Sequence, residues 1–135
     1  MLRLTRAAHA ALIGHAYDGL PLEACGLLGG DASSAKASVF YPCANLAASS
    51  RVYTLDPRDH LRADRDADAR GLEIIGVAHS HTHTEAYPSP TDVEQAPDPG
   101  WHYVIVSLRA EAPVLRSYRI TDGVITEEPV TLLPR

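Results

Sequence analysis

At 135 residues and 45% apolar content, the chain has the size and composition of one soluble globular domain, long enough to bury about two-thirds of its unfolded surface. A net charge of −5 without any basic run excludes a nucleic-acid surface, which would carry a basic stripe. No apolar run approaches the ~20 residues of a membrane span. His9 and His15 interrupt the Ala-rich stretch after Arg3 and Arg6, so no signal-peptide core forms and a cytoplasmic location is expected.

Met1–Leu4 predicts a short strand, and Thr5 caps a helix over residues 6–18 with Ala7, Ala8, Ala11, Leu12 and Ala16 on one side. Asp18-Gly19 ends it, before Pro21. The apolar run Ala24–Gly29 predicts a buried strand, and Gly29-Gly30-Asp31 a turn. Ala37–Cys43 and Val52–Leu55 predict two more strands around a polar loop, 44–51. Asp56-Pro57 is a helix start, with Asp as cap and Pro in the first helical position. That helix runs to about Arg70 and stops at Gly71, and its alternating charges suit a solvated face. Residues 72–78, with Ile74, Ile75 and Val77, predict a buried strand. Thr91 is expected to cap a short helix carrying Asp92 and Glu94. Three strands follow, Trp101–Leu108, Val114–Ile120 and Val124–Val130, the last two joined by a Thr121-Asp122-Gly123 turn. The order implies one α/β (α+β) domain over residues 1–135, a mixed sheet with a helix on each face. Cys25 and Cys43 have no metal-binding spacing and are expected as two reduced, packed thiols.

The chemistry lies in His79-Ser80-His81, Ser89 and Asp92, a pattern H-x-H-x7-S-x2-D. His79 and His81 are two apart at a strand end, so both imidazoles point to one side. Pro88 and Pro90 bracket Ser89 in a rigid loop. Two imidazoles and a carboxylate are three ligands for a catalytic zinc, which keeps a fourth position for water. An amide hydrolase needs a further carboxylate to carry the proton. Glu85 and Glu94 are nearest in sequence but read as loop and helix-surface charges. Glu23, before the buried run Cys25-Gly26-Leu27-Leu28, is the candidate, although spacing alone does not select it. Ser89 is placed to donate a hydrogen bond to an oxyanion. His83 shares the strand parity of the two ligands and is a candidate substrate contact or alternative ligand. Tyr87 is a candidate lining residue.

Glu23 within Glu-Ala-Cys-Gly-Leu-Leu-Gly, His79-Ser80-His81, Ser89 and Asp92 together resemble the JAMM (MPN+) zinc metalloprotease family over nearly the whole chain. The resemblance implies a JAMM/MPN (cytidine-deaminase-like) mixed sheet between helices. It implies Zn2+ held by His79, His81 and Asp92, Glu23 as general acid/base, and Ser89 at the oxyanion. The choice of Glu23 comes mainly from this match. The stretches HSHTHTEAYPSPTDV and LRSYRITDGVITEEPV are similar to the Mec-type bacterial members. These release cysteine from a ubiquitin-like sulfur-carrier protein ending in Gly-Gly. Many family members carry Pro after the second His, where this chain has Thr82, as the Mec-like subgroup does. The partner implied is therefore a carrier tail, laid beside a sheet edge and paired through its main chain, with Asn45–Tyr53 bordering the groove. Neither nucleic acid nor a membrane is expected as a partner, and a homodimer stays open. Two other readings stand beside this one. One is a peptidase or isopeptidase for another ubiquitin-like modifier or a small amide. The other is an MPN scaffold without chemistry.

Overall fold

The computed structural model describes residues 1–134. The elements are β1 (Leu2–Leu4), α1 (Arg6–Asp18), β2 (Cys25–Asp31), β3 (Lys36–Cys43), α2 (Pro57–Ala69), β4 (Glu73–His81), α3 (Pro90–Glu94), β5 (His102–Ser107), β6 (Val114–Thr121), β7 (Val124–Glu128) and β8 (Val130–Leu132). Eight strands form one mixed sheet in the order β7-β6-β5-β4-β2-β3-β1-β8. Strand β4 lies centrally, antiparallel to β2 and parallel to β5.

Alternation along the strands divides the core between the two faces. Leu28, Ala78, Val104 and Val106 join Ala8, Leu12 and Ala16 of α1. Leu27, Val77, Tyr103 and Ile105 pack on the other face with Ala63 of α2. A helix thus covers each face, as the element order implies. Both helices begin as expected: the Thr5 hydroxyl accepts from Ala8 N–H at 3.2 Å, and the Asp56 carboxylate accepts from Arg58 N–H at 2.9 Å with Pro57 behind it. Along α2 and its C-cap residue Arg70 the charges pair locally, Arg62 with Asp59 and Arg70 with Asp66. Among the described residues no helix is long and apolar enough to cross a membrane.

Four expectations are corrected. Gly29 and Gly30 continue β2 instead of turning, and the turn falls after Asp31, over residues 32–35. A Cβ at Gly30 would overlap the Lys36 carbonyl, so the glycine serves close approach of two strands beside a register shift. Val52–Leu55 is not a strand; Leu55 makes one isolated bridge to Asn45. The Asn45 side chain takes the place of a partner strand, accepting from Ala47 and Thr54 N–H and donating to the Val52 and Glu23 carbonyls. Ser89, not Thr91, caps α3, because Pro90 is suited to the first helical position and Asp92 completes a capping box. The expected last strand is two, divided at Pro129, which has no N–H to donate to a ladder.

That division shapes the whole sheet. β7 pairs with β6 at one end of the strand order, and β8 pairs with β1 at the other. The chain crosses between them over Pro129 alone, so the sheet coils back on itself. His79 and His81 lie at the end of β4, as the pattern implies, and neither outer strand carries a candidate site residue.

Candidate metal centre and active site

Pairing of β2 with β4 sets Cys25 opposite His79, which brings Glu23 to the histidines across 56 residues of sequence. Ser80, between the two histidines, locks the junction. Its hydroxyl accepts from Ala24 N–H at 2.8 Å, and its own N–H donates to the Ala24 carbonyl at 2.9 Å. Sequence reasoning passed over Ser80. Strand parity, which turns it away from the imidazoles, is the signal that could have found it.

The three proposed ligands converge. His79 Nε2 lies 3.1 Å from His81 Nε2 and 3.2 Å from Asp92 Oδ2, and His81 Nε2 lies 3.1 Å from Asp92 Oδ2. All three residues are buried. Ligands at the 2.0–2.1 Å usual for zinc, placed at tetrahedral angles, would stand about 3.3 Å apart. The donor set and the triangle therefore fit a metal ion. His81 is oriented by Nδ1–H donating to the Glu85 carbonyl at 2.8 Å, which leaves the Nε2 lone pair facing the cluster. His79 stacks on Tyr53 with ring centroids 4.4 Å apart, a neighbour that sequence alone did not reveal.

The electrostatics follow from burial and these contacts. Burial opposes the Asp92 charge, but the bonds from His79, His81 and Ser89 N–H outweigh it and hold the carboxyl well below the usual range. Burial pushes the His79 imidazole down. For His81 burial also acts downward, but Asp92 and the Glu85 carbonyl outweigh it and raise the group. Glu23 is 5% exposed, and its Oε1 has no hydrogen-bond partner among the described residues. Burial raises its carboxyl from 4.5 to about 7, with His81 opposing and Asp92 adding. Glu85 and Glu94 are exposed, in agreement with their reading as surface charges.

Ser89 Oγ accepts from Asp92 N–H at 3.1 Å, and Asp92 Oδ2 accepts from Ser89 N–H at 2.9 Å. The capping box therefore aims the carboxylate at the histidines. Ser89 lines a cavity of about 480 Å³ with Glu23, His81 and His83. His83 stands outside the three-residue cluster, its Nδ1 2.7 Å from the Thr82 hydroxyl. Tyr87 is 49% exposed and lies edge-on to Tyr118, away from that cavity. Cys25 and Cys43 are free, buried and directly opposed across β2 and β3. Burial pushes their thiols up to about 12 and about 11, so both are packing groups and not nucleophiles.

A family model described as prokaryotic homologs of the JAB domain matches residues 5–121. The chain belongs to this family. It is 43% identical over 124 residues to the CysO-cysteine peptidase of Mycobacterium tuberculosis, covering 91% of this chain and 85% of the relative. It is 37% identical over 112 residues to the desampylase of Haloferax volcanii, covering 78% and 81%. Among solved structures, protein DSY2949 from Desulfitobacterium hafniense superposes with a TM-score of 0.90 at 37% identity, covering 100% of this chain and 94% of that one. The mixed sheet between helices is thus the JAMM/MPN fold expected from the motif, and the chain is a hydrolase of the peptidase type.

Proposed function

We propose that this chain is a zinc peptidase in which His79, His81 and Asp92 hold the metal, Glu23 moves the proton and Ser89 binds the oxyanion. One observation carries the reading: three lone-pair atoms stand 3.1–3.2 Å apart in a buried triangle beside a buried glutamate with an unpartnered oxygen. Residues 1–135 act as one domain, a view supported by the pairing of β1 with β8. Zinc held there would supply a Lewis acid that acidifies water and polarises a carbonyl.

The chain's own groups do the rest. Glu23 as carboxylate takes a proton from the attacking water and returns it to the leaving nitrogen. A group near pH 7 can do both. The Ser89 oxygen already accepts from Asp92 N–H, so its own proton is left to donate to the oxyanion.

The substrate we favour is the amide between cysteine and the C-terminal glycine of a ubiquitin-like sulfur carrier ending in Gly-Gly. The reaction releases free cysteine, a step of cysteine biosynthesis, in the cytoplasm. Support comes from the identity to a CysO-cysteine peptidase and from Thr82. Neither outer strand carries a site residue, so we place the tail along the segment Asn45–Tyr53, whose Ser50 and Arg51 line the cavity, and not at a sheet edge. The similarity to a desampylase favours a second reading, cleavage from another small modifier. A scaffold role has no support from a chain that keeps the whole ligand set.

The test is to load the protein with zinc, incubate it with a cysteine-capped carrier and weigh the product. Loss of one cysteine residue is expected, with one zinc per chain by elemental analysis. An intact carrier beside a cleaved isopeptide would move the function to the second reading.

A further inference from the structure

The cavity beside the ligands is lined by residues of two kinds. Glu23, His81 and Ser89 belong to the proposed reacting groups, and Ser50, Arg51, His83 and Thr84 complete the lining. Arg51 is the only arginine or lysine among the described lining residues. Arg58, Arg62, Arg70 and Arg116 pair with carboxylates, whereas Arg3, Arg6, Arg65, Arg109 and Arg119 are, like Arg51, without one among the described residues but lie outside this cavity. The Arg51 guanidinium has no such partner among the described residues.

Its backbone, by contrast, is held firmly. Arg51 N–H donates to Ser49 Oγ at 3.0 Å. The Ser49 carbonyl accepts from Glu23 N–H at 2.8 Å, the Ser50 carbonyl accepts from the Thr82 hydroxyl at 3.2 Å, and the Val52 carbonyl accepts from the Asn45 amide at 3.1 Å. The segment carrying Arg51 is therefore bonded to Glu23 and to the residue after His81. Thr82 matters here, since a proline in that position has no hydroxyl to donate.

A guanidinium offers parallel N–H donors that match a carboxylate two for two. In an amide whose leaving amine is a C-terminal amino acid, the α-carboxylate is one Cα beyond the scissile nitrogen. An unpaired cation on an anchored backbone, bordering the cavity of the group that protonates that nitrogen, suits this position. A lysine side-chain amine, or a residue followed by more chain, presents no carboxylate there. We propose that Arg51 binds the free α-carboxylate of the departing residue, making the enzyme selective for a single amino acid attached to a glycine tail. This rests on the peptidase reading above and adds the rule by which a single residue is told from a longer or lysine-linked one.

The test uses two synthetic peptides ending in Gly-Gly-Cys, one with a free carboxylate and one with a C-terminal amide. Zinc-loaded enzyme should cleave the acid with a kcat/KM about 10- to 100-fold above that for the amide, the range of a charged hydrogen-bonded pair. Arg51→Gln should bring the acid-to-amide ratio of kcat/KM close to one, chiefly by a fall for the acid, and Arg51→Lys should restore part of the ratio. Binding without turnover gives a second readout. Calorimetric titration of Glu23→Gln should show tighter binding of the acid, and Glu23→Gln/Arg51→Gln should bind the two peptides equally. Equal cleavage of both peptides by the unaltered enzyme, or an equal fall for both in Arg51→Gln, overturns the carboxylate role and leaves the peptidase reading standing. If the unaltered enzyme cleaves neither, the peptidase reading falls and this inference with it.

Discussion

Glu23→Gln separates what the buried carboxylate does for catalysis from what it costs the fold. Burial displaces the group from 4.5 to about 7, which corresponds to about 3 kcal/mol against the ionised form. The sign follows from the direction. A folded-state value above the unfolded one means the penalty is small below pH 4.5, grows as pH rises through 7, and is constant beyond. Water reaching the cavity screens the carboxylate, which leaves about half of that penalty, about 1–2 kcal/mol. Glutamine keeps the volume and cannot ionise, so it relieves this penalty. Metal-free Glu23→Gln should therefore unfold at a temperature roughly 5 °C above the unaltered protein at pH 8.5, with the gap closing toward pH 5. Differential scanning calorimetry at the two pH values measures it. The same variant should retain zinc and lose about 10²- to 10⁴-fold in kcat. A stability gap independent of pH would refute the buried, uncompensated carboxylate, and retained turnover would place the proton carrier elsewhere.

Glu128 should behave in the opposite sense. Burial disfavours its charge, but bonds from His102 Nδ1 at 2.6 Å and Ser117 Oγ at 2.7 Å outweigh it and lower the carboxyl to about 2. Its contribution is present above pH 4.5 and lost as pH falls toward 2, so Glu128→Gln should cost about 1–3 kcal/mol at pH 7 and nothing near pH 2, measured by urea unfolding. Thr82→Val removes the hydroxyl that holds Ser50 and should lower kcat/KM about 10-fold, mainly through KM, with zinc content unchanged. Steady-state kinetics on a carrier substrate decides this. Gly30→Ala would drive a methyl into the Lys36 carbonyl and should cost about 2 kcal/mol or more in urea; a cost below about 0.5 kcal/mol would show that β3 can yield there.

Several features were legible along the chain because they depend on near neighbours. The caps at Thr5 and Asp56 need a hydroxyl or carboxylate two or three residues before an amide, and the alternation that aims His79 and His81 to one side is a property of any strand. The ligand set could be read for the same reason, since two histidines and an aspartate fall within 14 residues, His79 to Asp92. Local reading failed where a distant group intervened. Val52–Leu55 has a strand's composition, yet the Asn45 side chain takes up its backbone groups. Gly29-Gly30 has a turn's composition, yet β3 approaches so closely that only glycine fits.

The sequence by itself determined the candidate metal donors, the starts of α1 and α2 and the alternation that divides the core between two faces. Only the tertiary structure decided that Glu23, not Glu85 or Glu94, lies beside those donors, and that Ser80 and Thr82 tie Ala24 and Ser50 to the same strand. The physical reason is hydrogen-bond saturation in a buried sheet. Once β2 pairs with β4, every amide near the site must find a partner, and those partners come from segments tens of residues away.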